Sequence, residues 1–282
     1  MTDAHVLLTQ GLAPGEQGPV RMPQLGLGTY KVPDDQVQQV VETGLALGYR
    51  HIDTAQMYGN EAGVGRALAA AAVPGEDLFI TSKLNNPNHR RDDALRSFDA
   101  TMDRLGLEVL DLFLVHWPLA DSPGIDLVDT WRTMIEILGS GRVRAIGVSN
   151  YTPAHLRTIT EATGVTPAVN QVELHPWLCQ RELRAVHATM GIVTESWSPL
   201  GRARLLDEPV VVAVAQRYGV SPAQVLISWH LQHGLVVIPK TVHAERMRAN
   251  AEVLTLNEAA MSELDALDRG LRTGSHPDQV QV

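Results

Sequence analysis

Cysteine, basic charge and long hydrophobic runs are scarce in this chain, and each shortage excludes a class of protein. Cys179 is the only cysteine among the 282 residues, so no disulfide can form within the chain. A reducing compartment is therefore expected, with Cys179 as an inert, partly buried thiol. The formal net charge of −9 argues against nucleic acid as a partner, because nucleic-acid binders usually carry a basic face.

Membrane spans, targeting signals and metal motifs are absent from the sequence as well. No apolar stretch approaches the roughly 18 residues of a membrane span. Residues 1–5 have neither the basic start nor the apolar core of a signal peptide. With no H-E-x-x-H and no paired C-x-x-C motif, no metal site is predicted. We expect a cytoplasmic protein without membrane contact. The sequence does not determine the oligomeric state, for which a monomer is the expectation.

What the chain does contain is a regular alternation of apolar, strand-like runs and amphipathic, helix-like segments. Strands are predicted at residues 24–28, 49–53, 78–83, 111–116, 145–149, 168–173, 192–196 and 236–239. Helices are predicted at residues 34–47, 61–72, 92–105, 126–138, 153–163, 181–190, 222–232 and 244–251. The strands are almost continuously apolar, which suits burial on both faces. Eight such units favour an α/β fold, a (β/α)8 TIM barrel forming a single domain over residues 1–282. A doubly wound open sheet is the alternative.

Some segments lie outside this repeat. Residues 5–9 and 19–21 flank a turn rich in glycine and proline, and they predict an N-terminal β-hairpin that closes one end of the barrel. Two extra helices are predicted at residues 209–218 and 257–267. The tail after Gly270 has no periodicity and is predicted to be a loop.

Several predicted strands end in a polar residue. Asp53, Lys83 and His116 stand at such ends, and Tyr58 follows Asp53 by five residues. The active site of a barrel lies at the carboxyl ends of its strands, so we expect these four side chains to meet there. Taken singly, each residue has an ordinary structural interpretation, but their occurrence together favours catalysis. Other polar residues at strand ends are Ser149, Glu173, Ser196 and Lys240.

These four residue types can make a proton-donating site. Tyrosine is a poor acid, but a nearby ammonium such as that of Lys83 lowers its pKa. Asp53 can keep Lys83 charged, and His116 can hydrogen-bond a carbonyl oxygen. Because the G-x-S-x-G nucleophile elbow and a metal motif are both absent, a hydride from a bound nicotinamide is the remaining simple partner for this proton donor. A nicotinamide-binding protein without catalysis and a barrel isomerase that depends on a metal or phosphate are the competing hypotheses.

Several motifs resemble signatures of the aldo-keto reductase family. They are residues 48–55 (GYRHIDTA), 58–61 (YGNE), 81–84 (TSKL), 111–118 (DLFLVHWP), 146–150 (IGVSN), 170–176 (NQVELHP) and 238–241 (IPKT). The match runs from about residue 24 to residue 268 with the motifs in the family's order. Within the family, the chain most resembles the bacterial branch that includes 2,5-diketo-D-gluconate reductases, down to His276-Pro277-Asp278 in the tail.

The resemblance implies an NADPH-dependent oxidoreductase that reduces aldehydes and ketones to alcohols, with small dicarbonyls or keto-sugars as plausible substrates. It implies Tyr58 as general acid, Lys83 and Asp53 as its tuning pair, and His116 as the group that orients the carbonyl. It also implies NADPH lying across the barrel mouth without a Rossmann domain. The substrate contacts that it implies are His116, Trp117 and Trp177.

The same resemblance implies a set of cofactor contacts. Ser149, Asn150 and Gln171 offer the donors and acceptors that a nicotinamide carboxamide needs. Trp197 is implied to stack on the nicotinamide, and Ser198, Leu200 and Arg202 to follow the pyrophosphate. At the adenosine end, the implied contacts with the 2′-phosphate are Lys240, Thr241 and Arg246, and the implied contact with the adenine is Asn250. The neighbouring contacts are Ile238, Val242 and Ala249.

Three positions depart from the family pattern. Asn85 stands where many relatives place a tryptophan that walls the substrate pocket, so a more open or more polar pocket is expected. His243 replaces an arginine near the 2′-phosphate, which predicts a weaker preference for NADPH. Ala249 replaces an acidic or amide residue, so only a packing contact with the adenine is expected there.

Overall fold

Eight parallel strands form one sheet in chain order in the computed structural model, which describes residues 4–16 and 18–280. The last strand of this sheet, β10 (Val236–Val237), lies next to the first, β3 (Gly26–Gly28). Leu25 bridges Val237 in parallel, and the Val237 N–H donates to the Gln24 carbonyl at 2.7 Å. This closure makes the sheet a barrel. The predicted (β/α)8 fold is therefore confirmed, and the open doubly wound alternative is wrong.

The strands and helices alternate as the hydrophobic pattern predicts, with ends shifted by a few residues. The barrel strands are β3 (Gly26–Gly28), β4 (His51–Asp53), β5 (Phe79–Leu84), β6 (Leu110–Val115), β7 (Val143–Ser149), β8 (Val169–Glu173), β9 (Val193–Trp197) and β10 (Val236–Val237). The helices are α1 (Asp34–Ala46), α2 (Glu61–Ala70), α3 (Arg91–Leu105), α4 (Leu127–Gly139), α5 (Pro153–Thr163), α6 (Arg181–Met190), α7 (Pro209–Tyr218), α8 (Pro222–Gln232), α9 (Ala244–Ala251) and α10 (Glu258–Asp265). The extra helices are α7, inserted between β9 and α8, and α10, which follows α9.

Local chemistry explains where several helices begin. Thr152 and Ser221 accept hydrogen bonds from the third residue of α5 and α8, and each helix has proline in its first turn. A capping side chain satisfies a backbone N–H that has no partner inside the helix, and proline there has no N–H to satisfy. Behind its cap, α4 buries an apolar face against the barrel with Trp131, Met134 and Ile137.

The N-terminal hairpin covers the amino ends of the barrel strands. It pairs β1 (His5–Leu8) with β2 (Val20–Pro23) in antiparallel register. Leu8, Val20 and Met22 are buried in a cluster with strand residues such as Val169 and Val236. The predicted hairpin is thus confirmed, and the barrel opens only at the carboxyl ends of its strands, within the part of the chain that the structure describes.

Two smaller expectations can be compared with the structure. The tail is not entirely loop, because Pro277–Gln279 forms one turn of 3₁₀ helix that the His276 side chain caps by accepting from the Asp278 N–H. Burial raises the pKa of the Cys179 thiol to about 12, which keeps this sulfur protonated and inert.

In residues 4–16 and 18–280, no single helix is long and apolar enough to cross a membrane; α7 and α8 reach that length and composition only as a pair bent by 91°.

Candidate active site

The carboxyl ends of β4, β5 and β6 bring the four predicted catalytic residues together. Asp53 ends β4, Lys83 lies near the end of β5, and His116 directly follows β6. Tyr58 ends the short 3₁₀ helix Gln56–Tyr58, which the chain forms on leaving β4. Three of the four side chains line one cavity of about 370 Å³, and Lys83 lies fully buried beneath it.

Lys83 is held by a bidentate ion pair. Its Nζ donates to both carboxylate oxygens of Asp53 at 2.7 Å and to the Thr54 carbonyl at 2.9 Å. Burial by itself would lower the pKa of Lys83, but the charges of Asp53 and Tyr58 and the hydrogen bond to Asp53 raise that pKa above its usual value. Lys83 is therefore a fixed positive charge at the floor of the cavity.

The phenol of Tyr58 is the next group above this charge. Lys83 Nζ lies 3.4 Å from the Tyr58 hydroxyl oxygen. Burial raises the pKa of Tyr58 to about 12, and the charge of Lys83 opposes that rise. The effect of Lys83 on the pKa has the expected sign, but burial outweighs it, and the charge of Asp53 adds to the rise. The phenol thus stays protonated at neutral pH and is available as a proton donor.

His116 completes the group as a neutral ring. Its imidazole packs edge-on against Tyr58 with 5.7 Å between the ring centroids. Burial, together with the charge of Lys83, lowers the pKa of His116 well below its usual value. A neutral imidazole has one N–H to donate, so His116 can hydrogen-bond a carbonyl oxygen without competing with Tyr58 for the role of acid.

One wall of the cavity is a connected set of polar side chains. The Ser149 hydroxyl donates to the backbone carbonyl of Gln171 at 2.8 Å, and the Asn150 side chain donates to the backbone carbonyl of His116 at 3.0 Å. The indole N–H of Trp197 donates to Asn150 Oδ1 at 2.8 Å. These bonds fix an amide, a hydroxyl and a flat aromatic ring beside Tyr58. That donor set fits a nicotinamide ring and its carboxamide.

A second groove, of about 640 Å³, continues from this cavity. Ser198, Pro199, Arg202 and Lys240 line both spaces. Arg202, Lys240 and Arg246 distribute positive charge along this second groove, which we call the basic groove. Because of that charge, the basic groove fits the phosphates of a dinucleotide. The other predicted cofactor residues that line this groove are Leu200, Thr241, Ala249 and Asn250, whereas Ile238 lines the cavity of Tyr58.

The structure does not bring every predicted residue to these spaces. Trp117 lines the cavity, but Trp177 is not among the described residues that line it. The indole N–H of Trp177 donates to Glu208 at 2.9 Å, and the Arg269 guanidinium lies over the Trp177 ring. Val242 is 39% exposed and, like His243, is not among the described residues that line the groove.

Near β5, the asparagine in the cavity wall is not the one that the sequence suggests. The Asn85 side chain accepts from the Asn86 N–H and caps a turn of 3₁₀ helix. Asn86 lines the cavity instead. A polar wall is present at this place as expected, but the next residue supplies it.

The C-terminal tail supplies wall residues that sequence patterns do not reveal. Ser275 and Val280 line the cavity, as do Tyr30, Met57 and Asn86. The tail is anchored by buried Glu173, which accepts from the Gly274 N–H at 3.0 Å. Gly274 lies so close to the Trp197 ring that an added Cβ would clash with it. The bond between Glu173 and Gly274 joins residues 101 positions apart. The only local indication of this anchor in the sequence is that Glu173 stands at a strand end.

Comparisons with known proteins agree with this geometry. The model of the aldo/keto reductase family matches residues 23–269. An aldo-keto reductase from Mycolicibacterium smegmatis is 47% identical over 258 residues, which cover 91% of this chain and 93% of that protein. Methylglyoxal reductase DkgA from Salmonella typhimurium is 47% identical over 263 residues, which cover 92% and 94%. The crystal structure of a Gox0644 mutant in complex with NADPH has a TM-score of 0.90 and 40% identity, covering 99% of this chain and 100% of that one. Because these matches span the whole barrel and both spaces at its mouth, the chain belongs to the aldo/keto reductase family.

Proposed function

We propose that this protein reduces small aldehydes and ketones to alcohols, with Tyr58 as the proton donor and His116 as the group that orients the carbonyl. Membership of the family makes the chain an NADPH-dependent aldo-keto reductase, and a relative at 40% identity has been crystallised with NADPH. The roles of individual side chains are the proposal, and they rest on the geometry of the cavity.

One observation carries the assignment of Tyr58. The Lys83 ammonium lies between Asp53 and the Tyr58 hydroxyl, at 2.7 Å from the carboxylate and 3.4 Å from the phenol. A fixed positive charge stabilises the phenolate that forms when the phenol gives up its proton. This arrangement stands in a cavity that continues into the basic groove.

The reaction then follows from the groups present. When bound along the groove, NADPH would supply the hydride for the carbonyl carbon. His116 donates its N–H to the carbonyl oxygen and holds it near the phenol. As negative charge develops on that oxygen, the O–H bond of Tyr58 breaks and the proton passes to the oxygen. Lys83 stabilises the phenolate, which later takes a proton from solvent.

We further propose that small dicarbonyl compounds and keto-sugars are substrates. The cavity of about 370 Å³ has polar walls at Asn86 and Ser275 beside the aromatic Trp117 and Trp197. A small polar carbonyl compound fits such walls better than a large apolar ketone. The likeness to methylglyoxal reductase DkgA supports the same substrate class.

A substrate panel tests this function. Oxidation of NADPH, followed by absorbance, is measured with methylglyoxal, with a keto-sugar and with a bulky apolar ketone. We expect turnover of the first two and a far lower kcat/KM for the third. NADPH oxidation with no tested carbonyl compound would contradict the proposed reductase activity.

We expect Arg246→Ala to weaken NADPH binding selectively. Arg246 is an exposed side chain on α9 in the basic groove, and arginine can hold a phosphate by charge-assisted hydrogen bonds. Loss of this contact should raise the Kd of NADPH by roughly tenfold, or about 1.4 kcal/mol. The Kd of NADH, which has no 2′-phosphate, should change far less. Fluorescence titration with both cofactors measures the effect.

Arg248→Ala is the matched control for that measurement. Arg248 is exposed on the same helix but is not among the described residues that line the groove, so its loss removes an equal charge without removing the contact. Equal losses of affinity for NADPH and NADH in Arg246→Ala would place Arg246 away from the 2′-phosphate.

A further inference from the structure

A second buried carboxylate lies below the four catalytic groups, and the mechanism above does not use it. Glu195 lies on β9 and is completely buried, with its register partner Gln171 on β8. Its carboxylate lies inside the barrel, close to Asp53. An uncompensated carboxylate is costly to bury, so its presence here needs a reason.

Glu195 and Asp53 hold the side chain of Gln171 between them. The Gln171 amide nitrogen donates to Asp53 Oδ2 at 2.8 Å and to Glu195 Oε2 at 2.8 Å. Both partners accept hydrogen bonds, so the amide nitrogen and not the carbonyl oxygen must face them. The amide of Gln171, which lines the cavity, therefore has its carbonyl oxygen left for a ligand.

The surroundings of Glu195 favour its neutral form. Burial and the charge of Asp53 raise the pKa of Glu195 to about 8, against the opposing effects of Gln171 and Lys83. His51 Nε2 lies 3.6 Å from Glu195 Oε1, but burial lowers the pKa of His51 to about 4, so that ring is neutral. The other strand neighbours, Gln171 and Val236, add no charge. Glu195 Oε1 has no hydrogen-bond partner in the described part of the chain, which leaves it free to hold the proton.

We propose that Glu195 is a positioning residue, whose neutral carboxyl group fixes the Gln171 amide for the cofactor and keeps a second negative charge away from Asp53 and Lys83. This inference rests on the proposed function. When Glu195 ionises, the Lys83 ammonium faces two carboxylates instead of one. It then stabilises the Tyr58 phenolate less well, so the phenol becomes a poorer acid.

Two variants separate the parts of this role. Glu195→Gln copies the shape of the neutral acid and still accepts from Gln171, but it cannot ionise. Glu195→Leu has a similar volume and leaves one Gln171 N–H unpaired. We expect Glu195→Gln to bind NADPH about as tightly as the parent. Glu195→Leu should raise the Kd of NADPH roughly fivefold or more, at the low end of the effect of an unpaired buried donor.

The dependence of kcat on pH gives a second readout. As pH rises through about 8, the parent should lose activity because Glu195 ionises. Glu195→Gln should keep its activity to higher pH. Superimposed profiles for the parent and Glu195→Gln, with an unchanged Kd of NADPH in Glu195→Leu, would overturn the positioning role.

The thermal stability of the protein without cofactor gives a third readout. The pKa of Glu195 in the folded protein, about 8, lies above the ordinary value of 4.5. The stabilisation from its neutral form is therefore complete below pH 4.5 and is lost as pH rises through about 8. Glu195→Gln does not suffer this loss, so its Tm minus that of the parent should increase between pH 5 and pH 8.5.

Glu61→Gln is the control for loss of a buried carboxylate. Glu61 on α2 is buried and bonds Ser82 and Arg104, outside the contacts of Gln171. Glu61→Gln should not reproduce the pH-dependent difference in Tm.

Failure of the parent to bind NADPH or reduce any carbonyl compound would overturn the proposed function and this role with it. An active parent with unresponsive Glu195 variants would overturn this role alone.

Discussion

Tyr58→Phe should abolish most carbonyl reduction while leaving NADPH binding nearly normal. The substitution removes only the hydroxyl that lies 3.4 Å from Lys83 Nζ, and the ring keeps its contact with His116. Lys83 keeps its bonds to Asp53 and Thr54, so the floor of the cavity remains intact. We expect kcat to fall by at least about 10²-fold, the lower range for general acid catalysis. Steady-state kinetics measure kcat, and fluorescence titration measures the Kd of NADPH.

Tyr151→Phe is a matched control for this prediction. The Tyr151 hydroxyl is also buried but has no hydrogen-bond partner among the described residues, and it is not part of the described cavity lining. Tyr151→Phe therefore measures the effect of losing a buried phenolic hydroxyl that lies outside the described lining of the cavity. If Tyr58→Phe kept most of the parent's activity, the assignment of Tyr58 as the proton donor would be wrong.

Lys83→Met should also inactivate the enzyme and should destabilise the fold. Without the ammonium, nothing opposes the effects of burial and of the Asp53 charge on Tyr58, whose pKa is already raised to about 12. We expect activity to fall by roughly 10²-fold or more, comparable with loss of the acid itself. The Asp53 carboxylate, only 1% exposed, would lose its counter-charge. An uncompensated buried charge of this kind costs about 3–5 kcal/mol, which thermal or denaturant unfolding will detect.

The double variant Asp53→Asn/Lys83→Met separates the two effects. It removes both charges, so it should recover much of the lost stability but none of the lost activity. Lys31→Met serves as the control for a lysine outside the described lining of the cavity. A single Lys83→Met variant whose pH optimum merely shifted a little, at full activity, would show that Lys83 and Tyr58 are not coupled.

Much of the fold and of the site was predictable because both depend on local order in the chain. Buried parallel strands give continuous apolar runs, and capped helices begin at Thr152 and Ser221. Since every barrel strand points the same way, a residue at a strand end must lie at the mouth. That rule by itself predicts that Asp53, Lys83 and His116 lie at one end of the barrel.

Contacts between distant segments were not predictable in the same way. The sequence predicts that Trp177 contacts the substrate and that Asn85 borders its pocket. In the structure, Trp177 bonds Glu208 and Asn85 caps a helical turn. Ser275 and Val280 reach the cavity only because Glu173 anchors the tail. No periodicity links residues so far apart, and their contacts depend on where the closed barrel places each loop.

The sequence by itself determined the barrel, the family and the identity of the four groups at its mouth. Only the tertiary structure decided their charge states. Tyr58 stays a protonated phenol because burial outweighs the effect of the Lys83 charge on its pKa. His116 stays a neutral ring because burial and the charge of Lys83 both lower its pKa. Burial and the charge of Asp53 raise the pKa of Glu195, which favours a neutral partner for Gln171. Protonation depends on desolvation and on distances between charges, and both exist only after the strands have closed around these side chains.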